Sequence, residues 1–431
     1  FSAGQFYTDT DGFRSNAQQT DKIYNIFMQH QLTYKTSIQA EYRYRNTENG
    51  DLQLRFFEDY YDPNLEEEET TRLGRLGVRH AFTPTSDLIG NFMYQKADED
   101  FSTRNADLLL DSAVGKGDED AYGAELSYLH RWRSANLVGG AGFFDVDTQD
   151  KTTLQFSLPP TFPPLPPIRE QFDRDVHHTN LYLYSNLRLP YEVTLTLGAS
   201  ADFFDSDSSD EKDKDQFNPK IGISWNPLPQ TTVRAASFLV LTRTLITNQT
   251  LEPTQVAGFN QFFDEERATD SWRYGAAVDQ KFSSSLFGGV ELSTRDLNTP
   301  FTQTDPVTGV PKLENANWEE KQLRTYLFYT PHDWVALSAE WIWEKFEREK
   351  DHADFAKEVT THSVPLGVNL FHPSGFGAAF KAAYIHQDGS FAPPFDVENF
   401  KDGNGDFWLL DAAVSYRLPR RYGFITAGVS N

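Results

Sequence analysis

Runs of about 9 to 14 residues alternating between apolar and polar side chains recur along this chain, which is the length of a tilted membrane-crossing strand. In SIQAEYRYRNTENGDLQLRF, residues 37–56, Ile38, Ala40, Tyr42 and Tyr44 form one series and Gln39, Glu41, Arg43 and Arg45 the other. A period of two sends successive side chains to opposite faces, so the run has one greasy and one charged face. Beyond Asn46 the alternation resumes as Leu52, Leu54 and Phe56, predicting a strand that climbs out of the bilayer. Val193, Leu195, Leu197, Ala199, Ala201 and Phe203 repeat the pattern, as do Trp272, Tyr274, Ala276 and Val278. Val335 to Trp343 and Trp408 to Leu418 repeat it again.

The connections between these runs are of two kinds. Tight ones fall at YKTS (34–37), TPTSD (83–87), RSAN (133–136), PYE (190–192) and NPLPQ (226–230), then at SSS (283–285), TPHD (330–333), HPSG (372–375) and PRRYG (419–423). Between them lie longer segments, acidic or proline-rich, such as DPNLEEEE (62–69), 96–120, 159–171, 205–216, 244–270, 296–315 and 387–405. Short loops at one end and long loops at the other describe an all-β, transmembrane, antiparallel up-and-down β-barrel of about 18–22 strands with short periplasmic turns and long extracellular loops. The whole of 1–431 is read as one such barrel domain. Residues 1–13 and 423–431 read as strands lacking an outer neighbour, so terminal segments of the barrel are expected to lie beyond the sequence.

Composition agrees with this reading. Only 39% of residues are hydrophobic, yet Phe and Tyr number 35 and 19, and a soluble sandwich or propeller of this size would need a more aliphatic core. No run approaches the roughly 18 apolar residues of a membrane helix, whereas a barrel needs only every second residue apolar. Trp132, Tyr191, Trp225, Trp334, Tyr416 and Tyr422 adjoin tight turns, where rings prefer the headgroup boundary. The net charge of -24 excludes nucleic acid as the main partner. With no Cys there is no disulfide, thiolate metal site or cysteine nucleophile. No nucleophile elbow points to an enzyme.

Three stretches carry a family resemblance. FNPKIGISWNPLPQTTVRAA (217–236), followed by TRTLITNQTLEPTQ (242–255), resembles the barrel of TonB-dependent outer-membrane receptors in its "NPK-x-G" strand, "T-x-RAA" strand and "LEP" loop. FWLLDAAVSYRLPRRYGFITAGVSN (407–431) resembles the penultimate hairpin of that family, and 6–57 is similar to receptor-like barrels that follow tetratricopeptide regions. The resemblance implies a Gram-negative outer-membrane location, contact with lipid and lipopolysaccharide, and a transport role for a solute or polymer, whether receptor-like or porin-like. In the family an N-terminal plug and a TonB-contacting box precede the barrel. Here a strand pattern opens the sequence, so the resemblance implies a receptor-like barrel without that gate in these residues, open or filled by a periplasmic partner or plug. The alternative is a scaffold or sheath, anchoring a periplasmic repeat domain or enclosing an electron-transfer cytochrome.

The polar series names the residues expected to line the lumen: Glu41, Arg43, Arg45, Glu125, Lys220, Arg234, Arg273, Asp279, Glu291, Glu340, Lys381, Asp411 and Arg417. Mixed charges either tune passage through their local field or brace neighbouring strands, and bracing is the expectation for most. KDGNGDF (401–407) sets Asp402, Asn404 and Asp406 at the alternate spacing of a Ca2+-wrapping loop, without the glycine and the distal glutamate of an EF-type site. No other cofactor is expected. The acidic run 205–215 reads as a solvated loop tip, and PPTFPPLPP (159–167) as a stiff polyproline II spike. His177 and His178 are adjacent, point to opposite faces of a strand and cannot share a metal.

Overall fold

The computed structural model describes all residues except 54–55, 58–60, 105–109, 157–164, 208–212, 248, 264, 305–310, 349–355, 393–398 and 431. Most of the polyproline run and the tip of the acidic run 205–215 lie outside the described residues.

The first strands are β1 (Ser2–Thr10), β2 (Gln19–Gln31), β3 (Thr36–Asn49), β4 (Glu66–Thr83), β5 (Ser86–Arg104), β6 (Leu110–Arg131) and β7 (Ala135–Phe156). They continue as β8 (Ile168–Leu189), β9 (Val193–Ser206), β10 (Lys214–Leu228), β11 (Thr231–Leu241) and the two-residue strands β12 (Gln255–Val256) and β13 (Phe259–Asn260). The remainder are β14 (Asp270–Lys281), β15 (Leu286–Thr304), β16 (Pro311–His332), β17 (Val335–Arg348), β18 (Ala356–Phe371), β19 (Phe376–Phe391), β20 (Lys401–Arg417) and β21 (Phe424–Ser430).

Apart from the β12–β13 hairpin, every strand pairs antiparallel with its neighbour in sequence, β11 passing directly to β14, in one 19-stranded sheet. All nine predicted tight connections separate consecutive strands at one end of this sheet, and the long connections gather at the other. Among the described residues β1 pairs only with β2, and β21 only with β20.

The alternation sorts cleanly into faces. Tyr42, Leu126, Ile221, Tyr274, Val278, Val290 and Leu292 are exposed on the outer side. Between them Glu125, Lys220, Arg273 and Arg295 are buried on the inner side. This reverses a water-soluble sandwich and is what an apolar solvent demands of a sheet. Trp132, Tyr191, Trp225, Trp334 and Tyr422 are exposed beside the short turns, forming an aromatic girdle at that end.

Two expectations about strand length are corrected. Residues 96–120, 296–315 and 387–405, expected as loops, are largely strand, and β6, β7, β8 and β16 each reach 22 residues. Hairpins longer than a bilayer project beyond it, where both faces meet water and the alternation fades. In the opposite sense, β3 stops at Asn49 instead of running on to Phe56. There the Gly50 amide N–H donates to the Gln18 carbonyl, and buried Asp51 takes the Arg14 guanidinium at 3.1 Å, so the chain leaves the ladder to pack on the preceding loop.

Candidate functional site: an inward-folded segment and its buried charges

The described residues of segment 242–269, which overlaps the long connection expected at 244–270, fold into the concave side of the sheet. The segment bonds to strands far apart in the sheet: Arg75 on β4 to Gln249 at 2.5 Å, Glu125 on β6 to the Leu251 amide at 2.9 Å, and Arg273 on β14 to the Asn260 carbonyl at 3.0 Å. One short segment reaches all of these walls because the sheet curls around it.

Local sequence explains the shape of the segment. Ala257 and Gly258 both take positive φ, 47° and 87°, the signature of the tight hairpin turn that joins β12 to β13. Val256 and Phe259 are thereby driven into the wall, where both are fully buried. The wall receives them at glycines: a Cβ on Gly275 would come 2.4 Å from the Phe259 ring, and one on Gly222 would come 2.7 Å from the Ala257 Cβ. The Arg234 guanidinium lies over the Phe259 ring, 5.2 Å from its centre.

A charge cluster anchors the segment. Arg243 donates from Nε to Asp202 Oδ1 at 2.8 Å, and its Nη2 lies 2.5 Å from Glu252 Oε2. All three side chains are 0% exposed. Burial alone would weaken the Arg243 charge, but Glu252 and Asp202 outweigh it and hold the guanidinium above its usual range. The surrounding wall satisfies the carboxylates. Asn218 donates to Asp202 at 2.6 Å and His178 Nε2 lies 3.2 Å from it, while Tyr184 and Asn180 both donate to Glu252. The Phe263 ring covers the far side of Arg243, 4.6 Å from the guanidinium carbon.

The predicted inner-face residues mostly meet partners. Glu41 joins Arg43, Arg75 and Asn25, and Arg45 grips Asp21 through two nitrogens at 3.0 and 3.1 Å. Glu125 accepts from Thr250 and Leu251 of the segment, and Lys220 donates to the Leu239 carbonyl at 2.8 Å. Arg234 bridges Asp279 at 2.7 Å and Glu291 at 3.3 Å, and Arg324 holds Glu340 at 2.7 Å. Asp411 accepts from Ser430 and faces Lys381 across the β19–β20 ladder. Arg417 is level with Phe424 of β21.

Asp402, Asn404 and Asp406 do not lie in a loop. They sit on β20, level with Ser390, Asp388 and His386 of β19. Alternate residues of a strand are about 6.5 to 7 Å apart, so the three groups do not wrap one ion. His178 and His177 do point to opposite faces: His178 enters the inner cluster, and half-exposed His177 sits outside between Asp145 at 2.9 Å and Asp175 at 3.7 Å. Each ring nitrogen of His177 faces one carboxylate.

Sequence reasoning missed the Asp202–Arg243–Glu252 cluster altogether. The signal available was composition, since Leu245, Ile246, Leu251, Val256, Phe259, Phe262 and Phe263 are too apolar for a solvated loop.

The family model "TonB dependent receptor-like, beta-barrel" matches residues 2–269, more than half of the chain. No curated protein matches the sequence. Among solved structures, the Pseudomonas aeruginosa FpvA bound to heterologous pyoverdines superposes with a TM-score of 0.70 at 11% identity, covering 99% of this chain and 62% of that one. The copper transporter OprC gives 0.67 at 10% identity, covering 100% and 69%. The siderophore receptor PiuA from Acinetobacter baumannii gives 0.64 at 14%, covering 94% and 69%. The chain thus spans about three fifths of the length of FpvA. By the family match and the shared fold, this chain belongs to the TonB-dependent receptor-like β-barrels of the Gram-negative outer membrane.

Proposed function

We propose that the chain is a transport barrel for a small solute, with its own segment 242–269 setting the width of the passage. The observation that supports this is the inward fold of the segment, bonded to β4, β6, β9 and β14, with a cavity between Phe262 and Glu265 of the segment and residues of β16 to β18. In this reading the short turns face the periplasm and the long hairpins reach outward, so a solute meets the hairpins first and the infolded segment next. In this reading the paired inner charges, such as Arg45 with Asp21 and Arg234 with Asp279, brace the wall of the path. FpvA and OprC carry names of a pyoverdine complex and a copper transporter, and the same type of barrel lends the transport reading its direction. A sheath around a protein partner would need the space that 242–269 occupies.

Purified protein in planar bilayers is expected to give small, discrete conductance steps. A silent barrel under both polarities would count against the reading. The membrane placement has a cheaper check: unheated protein is expected to migrate faster than boiled protein in detergent gels, as a fully hydrogen-bonded membrane sheet resists unfolding in detergent. Identical mobilities together with solubility in plain buffer would sink it.

A further inference from the structure

We propose that the cavity between the tip of segment 242–269 and the β14–β18 wall binds a small monocarboxylate with an apolar body. The cavity holds about 440 Å3 and is lined by Arg273, Arg295, Ser293, Gln322, Phe262 and Phe346 among others, a volume suited to a small organic solute.

Arg273 carries the argument. It is 5% exposed, and among the described residues its Nη atoms donate to neutral acceptors alone, the Asn260 carbonyl and the Ser293 hydroxyl, each at 3.0 Å. Its Nε is buried and meets no acceptor among the described residues. The carboxylates nearby are committed elsewhere: Glu320 and Glu265 to Arg295, and Glu291 to Arg234. A buried guanidinium without a carboxylate is costly to keep, and its planar edge matches a carboxylate bidentately.

The surroundings define the rest of the ligand. Phe262 lies between Arg273 and Arg295, 4.9 and 4.7 Å from their guanidinium carbons, and presents an apolar surface beside the charge. The lining carries four cations, Arg273, Arg295, Lys321 and Lys345, against three carboxylates, Glu265, Glu320 and Glu344, and the single positive charge left over is balanced by an anion of one charge. One negative charge, planar, next to an apolar body satisfies both constraints. Arg273 as a mere brace for Asn260 and Ser293 would fit the same hydrogen bonds without binding anything.

The proposal rests on the transport reading, but its test does not need transport. Benzoate titrated calorimetrically into the detergent-solubilised barrel is expected to bind at least tenfold more tightly than neutral benzamide or cationic benzylamine. Arg273→Gln is expected to lose at least tenfold in benzoate affinity while keeping heat-modifiable mobility, and Arg273→Lys to fall between. Should Arg273→Gln fail to fold, Phe346→Ala, on the cavity wall beneath Arg348, is expected to weaken benzoate severalfold. Benzoate binding no better than benzamide, or unchanged in the Arg273→Gln or Phe346→Ala protein, overturns the site. Conductance measured with and without benzoate then separates the two readings: a bound but non-conducting barrel sinks transport and leaves the site standing.

Discussion

Arg243→Ala is expected to loosen segment 242–269 and widen the barrel. The substitution removes the guanidinium that lies 2.8 Å from Asp202 and 2.5 Å from Glu252 in a site where all three side chains are 0% exposed. Removing one partner of a buried ion pair costs roughly 3–5 kcal/mol, because the remaining charge cannot recover its water. The segment also loses the guanidinium beneath Phe263. The expected readings are a severalfold rise in single-channel conductance and new protease cleavage within 242–269 on the folded barrel. Replacing the whole cluster at once, Arg243→Met with Asp202→Asn and Glu252→Gln, removes the charges together and is expected to restore most of the protection. Conductance and protection equal to the unmodified protein would mean that the cluster does not hold the segment in place.

The second large effect concerns the other face. Leu292 is 52% exposed on the outer side of β15, level with Ala276 and Leu323 on the neighbouring strands. Leu292→Arg is expected to cost about 2–4 kcal/mol of folding free energy in lipid vesicles, the range for an arginine near the bilayer midplane. Ser363→Arg, on the inner face of β18, is expected to cost under about 1 kcal/mol, since the new charge meets water or a carboxylate. Urea unfolding in vesicles reads both. Equal costs at the two positions would remove the hydrocarbon from the outer face.

The turns and the two faces were legible from the sequence for a shared reason. Both are local: a short break rich in Pro, Gly, Ser, Thr, Asn or Asp ends one ladder and starts the next, and a lipid face imposes strict alternation on whatever crosses it. Strand ends such as Lys96–Arg104 were not, because beyond the lipid nothing penalises a polar residue on either face and the period disappears. The 402–406 stretch misled for a similar reason, since Gly403 and Gly405 read as loop while the alternate acids fit a strand equally well. The buried cluster was out of reach for another cause. Its contacts join residues 41, 68 and 174 positions apart, as in Arg243 with Asp202, Glu252 with Tyr184, and Gln249 with Arg75. No window along the chain contains both halves of such a pair.

Segment 242–269 is tied at both ends to β11 and β14, which are themselves paired along their length. A stopper held this way has no dissociated state. If it swings out, its local concentration at the docking site stays in the range of short flexible tethers, on the order of millimolar, and its return is a first-order event independent of how much protein is present. Lengthening the tether by a few residues changes the closure entropy only logarithmically. Reclosure should therefore survive insertions in the loop better than substitutions in the latch, and dilution of the protein should leave the open fraction unchanged.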